Sequence, residues 1–289
     1  MKTAISTYSF YRYISKGDMT VEDSIRKAKE IGFDAIEVTT INGTAEEQKS
    51  SAESIRKTAE ELNIPIICYT VGGEIYHEDD DAMNAEIQRL KSHVNLAVIL
   101  GAPLMRHNGA TKLGKTGCHR SFDLLLPRLA EGVRAVTEYA KTKGVKTCIE
   151  NHSFVGQDSD RMERLFNAVN HDNFGLLADI ANFNCVDEDP AIAVSRVAPY
   201  AFHVHVKDQR VCDNLIEGET GVIQTRAARY IYSKPLGEGE IPLERCLSIL
   251  KNADYDGYFS LEYEAPEDPI TGITKSFEVL TKTMNKVFS

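Results

Sequence analysis

The chain has 289 residues, 42% hydrophobic and 26% charged, with 33 Lys and Arg against 43 Asp and Glu for a formal charge of −10. That balance suits a globular chain able to bury a full core. The acidic surplus excludes a general nucleic-acid or anionic-membrane binder, which needs a cationic footprint.

Short β-branched and aromatic runs alternate with helical patterns along the whole chain. The first candidate strand is 4–10. Val21, Ile25, Ala28 and Ile31 then form one helical stripe, stopped by Gly32. Strand 34–40 leads to a polar helix over 46–62, ended by Asn63 with Pro65 just beyond. Strand 64–71 follows. The acidic run Glu78-Asp79-Asp80-Asp81 is placed to open a helix over 82–100, which Gly101 stops. Strand 103–109, a helix over 121–143 ending at Gly144, and strands 146–152 and 174–180 come next. Asp189-Pro190 starts a short helix before strand 201–208. Residues 209–240 are polar and contain Gly218, Gly221, Gly237 and Gly239, the composition of a lid or rim loop. Ile241-Pro242 opens another helix, with Pro fitting its first position, and strand 258–264 is the last.

Runs such as IPIICYT and FGLLADI are nearly continuous in apolar residues, as strands buried on both faces must be. Eight β-α units without a Pro/Ser linker predict an α/β fold, a single (β/α)8 barrel domain spanning 1–289, with an enlarged loop between strands seven and eight. No apolar run reaches the roughly 18 residues of a membrane span. The polar N-terminus is no secretory h-region. The six scattered cysteines, Cys68, Cys118, Cys148, Cys185, Cys212 and Cys246, form no C-x-x-C pair. A cytoplasmic protein with free thiols is expected.

In a barrel, chemistry sits at the C-terminal strand ends. Here those ends are rich in ionisable groups: Glu150 and His152 on strand five, Asp179 on six, His203, His205 and Lys207 on seven, Glu262 and Glu264 on eight. Period-2 alternation turns His203, His205 and Lys207 to one face, and Glu262 and Glu264 likewise, leaving Val204, Val206, Leu261 and Tyr263 for the helices. Three inward carboxylates repel one another unless a cation lies among them. Glu150, Asp179, His205 and Glu262 therefore form a candidate site for one divalent ion. A carboxylate-rich set with one imidazole favours Mn²⁺, with Mg²⁺, Co²⁺ and Zn²⁺ as alternatives. The competing reading is a salt-bridge network with Arg106, Lys207 and His203. Arg106 and His107 end strand four, and they, with Lys207, are candidates to hold substrate. Glu37 on strand two faces inward or outward according to register. The Gly-rich run LGEGEIP is acidic, a poor phosphate cradle, and no P-loop, nucleophile elbow or dinucleotide loop is present.

The ordered motifs GFDAIEV, IEN, LLADIAN, HVHVKD, LGEGEIP and SLEYE resemble those of the xylose isomerase-like TIM-barrel superfamily, in its sugar phosphate isomerase/epimerase branch. The resemblance implies one divalent metal on Glu150, Asp179, His205 and Glu262, with proton transfer by Glu150 and Glu262. His152 is a further candidate base. The family's ketose 3-epimerases carry a substrate-binding His three residues after the metal Asp. That place is Asn182 here, taken as a substrate contact. Their Arg six residues after the metal His is Val211, with Arg210 beside it. The superfamily's DNA-repair endonucleases hold three metals with many His ligands, which this chain lacks, so no nucleic-acid substrate is expected.

The implied function is a metal-dependent isomerase or epimerase of a sugar or keto-sugar, moving a proton next to the carbonyl through an enediolate. A lyase or dehydratase on a keto-sugar or keto-inositol shares the first step and is the alternative. A non-catalytic sugar-binding barrel is the third reading. The partner expected is a small-molecule substrate, and the resemblance leaves room for a homo-oligomer.

Overall fold

The computed structural model describes residues 2–113 and 120–289. The chain begins with β1 (Lys2–Ser6) and, after a 3-10 turn and the short α1 (Tyr11–Ile14), alternates regularly. The order is α2 (Val21–Ile31), β2 (Ala35–Thr39), α3 (Ala45–Glu61), β3 (Ile66–Val71), α4 (Asp80–Leu100), β4 (Leu104–His107), α5 (Phe122–Thr142), β5 (Lys146–Glu150), α6 (Ser159–Val169), β6 (Phe174–Asp179), α7 (Pro190–Val197) and β7 (Ala201–Val206). Three further strands, β8 (Asp208–Cys212), β9 (Val222–Gln224) and β10 (Tyr230–Lys234), precede α8 (Leu243–Asn252), β11 (Tyr258–Leu261) and α9 (Pro269–Phe288). Among the described residues, eight strands close a barrel in the order β1-β11-β7-β6-β5-β4-β3-β2. Their pairings are parallel throughout. This is the expected (β/α)8 barrel.

The helix boundaries follow local chemistry. Thr20 with Asp23 and Thr44 with Glu47 form reciprocal capping boxes at the starts of α2 and α3. Gly32 and Gly101 end α2 and α4 in the left-handed region, at φ 115° and 74°. Pro242 differs from expectation: it is the N-cap of α8, one place before the first helical residue. The first strand also starts and ends earlier than 4–10, because Ser6 accepts a hydrogen bond from the Tyr8 amide and turns residues 7–10 into a 3-10 helix.

The main core lies between strands and helices, with Ile5, Ile36, Leu176, Val204, Val206 and Phe259 packed against the inner helix faces. Each fully buried side chain of this size contributes about 2 kcal/mol. Inside the barrel a small apolar cluster of Cys68, Leu104, Cys148 and Leu177, with Phe202 against it, fills the end near the strand starts. Polar groups fill the other end. Cys68, Cys148, Cys185, Cys212 and Cys246 are free thiols, as expected, while Cys118 lies outside the described residues. Among the described residues no helix is long and apolar enough to cross a membrane.

The 209–240 segment is more ordered than a rim loop. Strands β8, β10 and β9 form an antiparallel sheet, with Val211 opposite Ile231 and Ile231 opposite Ile223. We term it the flap. Its two ends meet at Asp208, whose carboxylate accepts from the amides of Gln209 and Gly237 at 2.8 Å and of Gly239 and Ile241 at 3.0 Å. A Cβ on Gly239 would collide with Asp208 Oδ1, so that position requires glycine. The amides of LGEGEIP thus cradle the chain's own carboxylate.

Candidate metal centre

Four side chains converge where β5, β6, β7 and β11 end. One donor atom from each of Glu150, Asp179, His205 and Glu262 lies within 4.8 Å of the others. His205 Nδ1 stands 3.8 Å from Glu150 Oε1, 3.9 Å from Asp179 Oδ2 and 3.7 Å from Glu262 Oε1. Glu150, Asp179 and His205 are buried, and Glu262 is partly so. The positions follow from strand alternation: β7 sends His203 and His205 inward, while Val204 and Val206 join the outer core.

Several contacts fix these groups. Asn151 exchanges two hydrogen bonds with the backbone of Asp179, donating from Nδ2 at 3.0 Å and accepting from the amide at 2.8 Å. Asp179 Oδ1 accepts from the amides of Ala181 at 2.9 Å and Asn182 at 3.0 Å. Asn182 Nδ2 donates to Glu150 Oε1 at 2.9 Å, and Arg106 pairs with Glu150 Oε2. Lys207 Nζ lies 3.0 Å from Asp179 Oδ2, 2.9 Å from Glu262 Oε2 and 3.4 Å from Glu264 Oε2.

Behind the cluster, fully buried Glu37 accepts through Oε2 from His203 Nε2 at 2.7 Å and His205 Nε2 at 2.9 Å, and through Oε1 from Thr70 Oγ1 at 2.8 Å. Engaging His205 by Nε2 leaves Nδ1 facing the three carboxylates. This is the carboxylate–imidazole support usual behind a metal-bound His. Burial works against ionising Glu37, but His205 and His203 outweigh it and hold its carboxyl well below the usual range. Glu37, Cys68 and His203 also lie close together. The carboxylate there is already satisfied by hydrogen bonds, so this second group needs no ion.

The test of whether the first cluster suits an ion lies in its buried polar atoms. His205 Nδ1 is buried and makes no hydrogen bond, while Asp179 Oδ2 beside it is met by the Lys207 ammonium alone. Orphaned polar atoms of this kind are costly unless something polar completes them. Donor spacings of 3.7–3.9 Å are a few tenths of an ångström wider than the roughly 3.3–3.6 Å of tetrahedral donors with bonds of about 2.0–2.2 Å, and shorter than the roughly 4.0–4.4 Å of an opposed pair, so a small inward shift lets one ion reach all four. The expected salt-bridge network is present as well, through Arg106 and Lys207. It reaches Asp179 Oδ2 but leaves His205 Nδ1 without a hydrogen-bond partner. His203 takes no part in it and serves Glu37 instead.

The other candidates divide. Arg106, Asn182 and Lys207 surround the cluster. His152 is exposed at the mouth, its Nδ1 hydrogen-bonded to Ser153 Oγ. His107 is fully buried on the opposite side of β4 from Arg106, its Nδ1 within 3.0 Å of the Asn108 carbonyl oxygen. Alternation that turns Arg106 inward turns its neighbour to the helices, so His107 does not face the site. Glu37 has a supporting role that sequence alone left open. Its signal was an acid in the otherwise apolar strand AIEVT. A cleft of about 500 Å³ opens beside the cluster, lined by His152, Phe154, Asn182, Lys207, Ile223 and Glu264 among others.

A closed (β/α)8 barrel with a carboxylate–imidazole cluster at its C-terminal mouth defines the class. The chain belongs to the xylose isomerase-like TIM barrel family, whose model matches residues 25–283. It is 30% identical over 158 residues to inosose dehydratase 1 of Bacillus cereus, covering 54% of this chain and 51% of the relative. The chain thus spans about half the length of the curated relatives it matches. Two solved structures share the fold. One is the IOLI protein with a bound zinc atom, at TM-score 0.79 and 18% identity over 100% of both chains. The other is the 3-keto-D-glucoside 4-epimerase YcjR of E. coli, at TM-score 0.68 and 15% identity over 90% of this chain and 94% of that one.

Proposed function

We propose that the chain is a divalent-metal-dependent enzyme that removes a proton next to the carbonyl of a keto-sugar or keto-inositol and expels the β-hydroxyl as water. Glu150, Asp179, His205 and Glu262 would hold the ion. When bound, the ion polarises the substrate carbonyl and stabilises the charge that develops on its oxygen. The zinc in the IOLI structure supports a metal at this mouth, and the inosose dehydratase relatives support elimination.

The observation that carries the reading is Lys207 among the cluster. Burial would lower its pKa, but Asp179 and Glu262 outweigh it and hold the ammonium form well above the ordinary range. The same carboxylates make it a weaker acid than a free lysine, so its place carries the reading: a charged N–H group on the cleft, within 3.4 Å of Asp179, Glu262 and Glu264, able to hydrogen-bond a departing hydroxyl and yield a proton to it as hydroxide character develops. His152 is the base, in the tautomer whose Nδ1–H donates to Ser153 Oγ, which leaves the Nε2 lone pair to take the proton. Arg106 and Asn182 orient Glu150 and hold it ionised. The step balances: His152 gains the C–H proton, the electron pair forms the carbon–carbon double bond, and hydroxide leaves with a proton from Lys207. His152 and Lys207 later return to their starting states through solvent.

A second reading, isomerisation or epimerisation, has its own support. Glu150 and Glu262 face the centre from different strands, so a proton lost to one could return from the other. The epimerase sharing this fold supports it.

Incubation of keto-inositol and keto-sugars in D₂O with Mn²⁺, followed by NMR, tests both. An unsaturated ketone or its tautomer, abolished about 10²-fold or more by Lys207→Met or His152→Ala, supports elimination. Deuterium beside the carbonyl with the hydroxyls retained replaces it with the second reading. No reaction and no exchange rejects both.

A further inference from the structure

Two apolar side chains stand exposed in the cleft beside the cluster, and the chain spends several contacts to keep one of them there. Phe154 is 44% exposed and Ile223 is 51% exposed, and both line the 500 Å³ cleft with Lys207 and His152. Phe154 sits in a turn where consecutive non-glycine residues, Ser153 and Phe154, take φ of 70° and 62°. Such backbone costs on the order of 1–3 kcal/mol per residue and persists only where its surroundings over-determine it.

The surroundings do so here. The Phe154 amide donates to Gln157 Oε1 at 2.7 Å, and buried Gln157 donates from Nε2 to the Asn182 carbonyl at 2.8 Å. Arg226 of the flap donates to the Phe154 carbonyl oxygen and to both oxygens of Asp158, at 2.5 and 2.9 Å. The same residue's amide donates to the Cys185 carbonyl at 2.8 Å. Arg226 follows Ile223 by three residues. One side chain thus fixes the Phe154 turn and the Ile223 strand to each other.

Polar substrate recognition does not account for these groups. A sugar ring is served by Lys207, Asn182 and the cluster, and the cleft is larger than one ring fills. We infer that Phe154 and Ile223 form an apolar subsite for a non-reacting substituent on the substrate, so that the preferred substrate is a keto-glycoside with an apolar aglycone and not a free sugar. This rests on the keto-sugar reading above. An aromatic face and an aliphatic side chain lining one cleft, on segments tied together through Arg226, are suited to hold a flat apolar group. Restraint in advance lowers the ordering cost of binding.

The test is calorimetric binding of phenyl β-D-glucoside and methyl β-D-glucoside to the Mn²⁺-loaded chain. Phenyl glucoside is expected to bind tighter by on the order of tenfold. Phe154→Ala is expected to erase that preference and leave methyl glucoside unchanged, Ile223→Ser to reduce it, and Phe154→Tyr to retain it. Because Phe154 and Ile223 are exposed, thermal melts of the variants should match the parent chain and exclude misfolding. Equal affinities in the parent chain, no binding of either probe, or equal weakening of both by Phe154→Ala overturns the subsite. The α-proton exchange experiment fails independently. A phenyl preference without exchange leaves the subsite standing and rejects the proposed reaction, and exchange without preference does the reverse.

Discussion

The two ends of the barrel differ in a way that volume alone misrepresents. At the strand starts a cavity of about 790 Å³ is lined by Ile66, Ile67, Leu104, Phe202, Tyr255 and Tyr258, among others. At the strand ends the cleft is about 500 Å³, yet it adjoins three carboxylates, an imidazole, a lysine and an arginine, all wholly or partly buried. The larger space brings together no comparable set of charges. The smaller one adjoins a cluster whose groups are stable only as a set. The difference teaches that one end is built for packing and the other for charge, and that each should fail in its own way.

The sharpest separation comes from Asp179→Asn. It removes an anionic donor from the centre and should lower turnover by at least about 10³-fold, with loss of bound metal by elemental analysis. Retained metal and turnover would break the comparison. Glu37→Gln comes next. It keeps the size of the group behind His205 but withdraws the charge, and should weaken metal affinity by about 10–100-fold, read by chelator competition.

Acid should act at neither end but in the layer between strands and helices, where His93 and His107 are buried. Burial lowers the pKa of His93 and of His107 to about 4, from 6.5. The unfolded chain therefore binds protons that the folded chain refuses between those values. Stability is fully present above pH 6.5 and is lost as pH falls toward 4, by up to about 3 kcal/mol per residue. His93→Gln should flatten that slope in urea melts recorded across the range, and an unchanged slope would refute the assignment. The smallest effect is expected at the packing end. A Cβ on Gly175 would collide with the Phe202 ring. Gly175→Ala should cost about 1–3 kcal/mol of stability while leaving metal affinity unaltered. A change in affinity would mean that the two ends are coupled.

Much of this arrangement was legible in the sequence, for physical reasons. A strand buried on both faces must be apolar along its length, so β3 and β6 announced themselves. Alternation then placed His203, His205 and Lys207 on one face without any structure. The same rule applied to RH at the end of β4 shows why His107 was misplaced: adjacent residues cannot share a face, and only register says which one enters the barrel. Glu37 was ambiguous for the same reason. Its partners lie 166 and 168 residues away, and no local pattern reports them. The flap strands were unread because β9 has only three residues and β8 is polar on entry, so neither carries a periodic signal. The strain at Ser153 and Phe154 is likewise silent, since both are residue types that usually avoid positive φ.

Asp208 has a consequence for how such a protein could diversify. Both ends of the flap are gathered onto one carboxylate, next to the strand that carries His205. The segment between leaves and rejoins the barrel at one point, and its further ties to the body include those made by Arg226 and Ala227. The insert therefore behaves as a cassette. A segment of different sequence could be spliced between Gln209 and Gly237 and present a new wall to the cleft, while the barrel strands and the charges at their ends keep their registration.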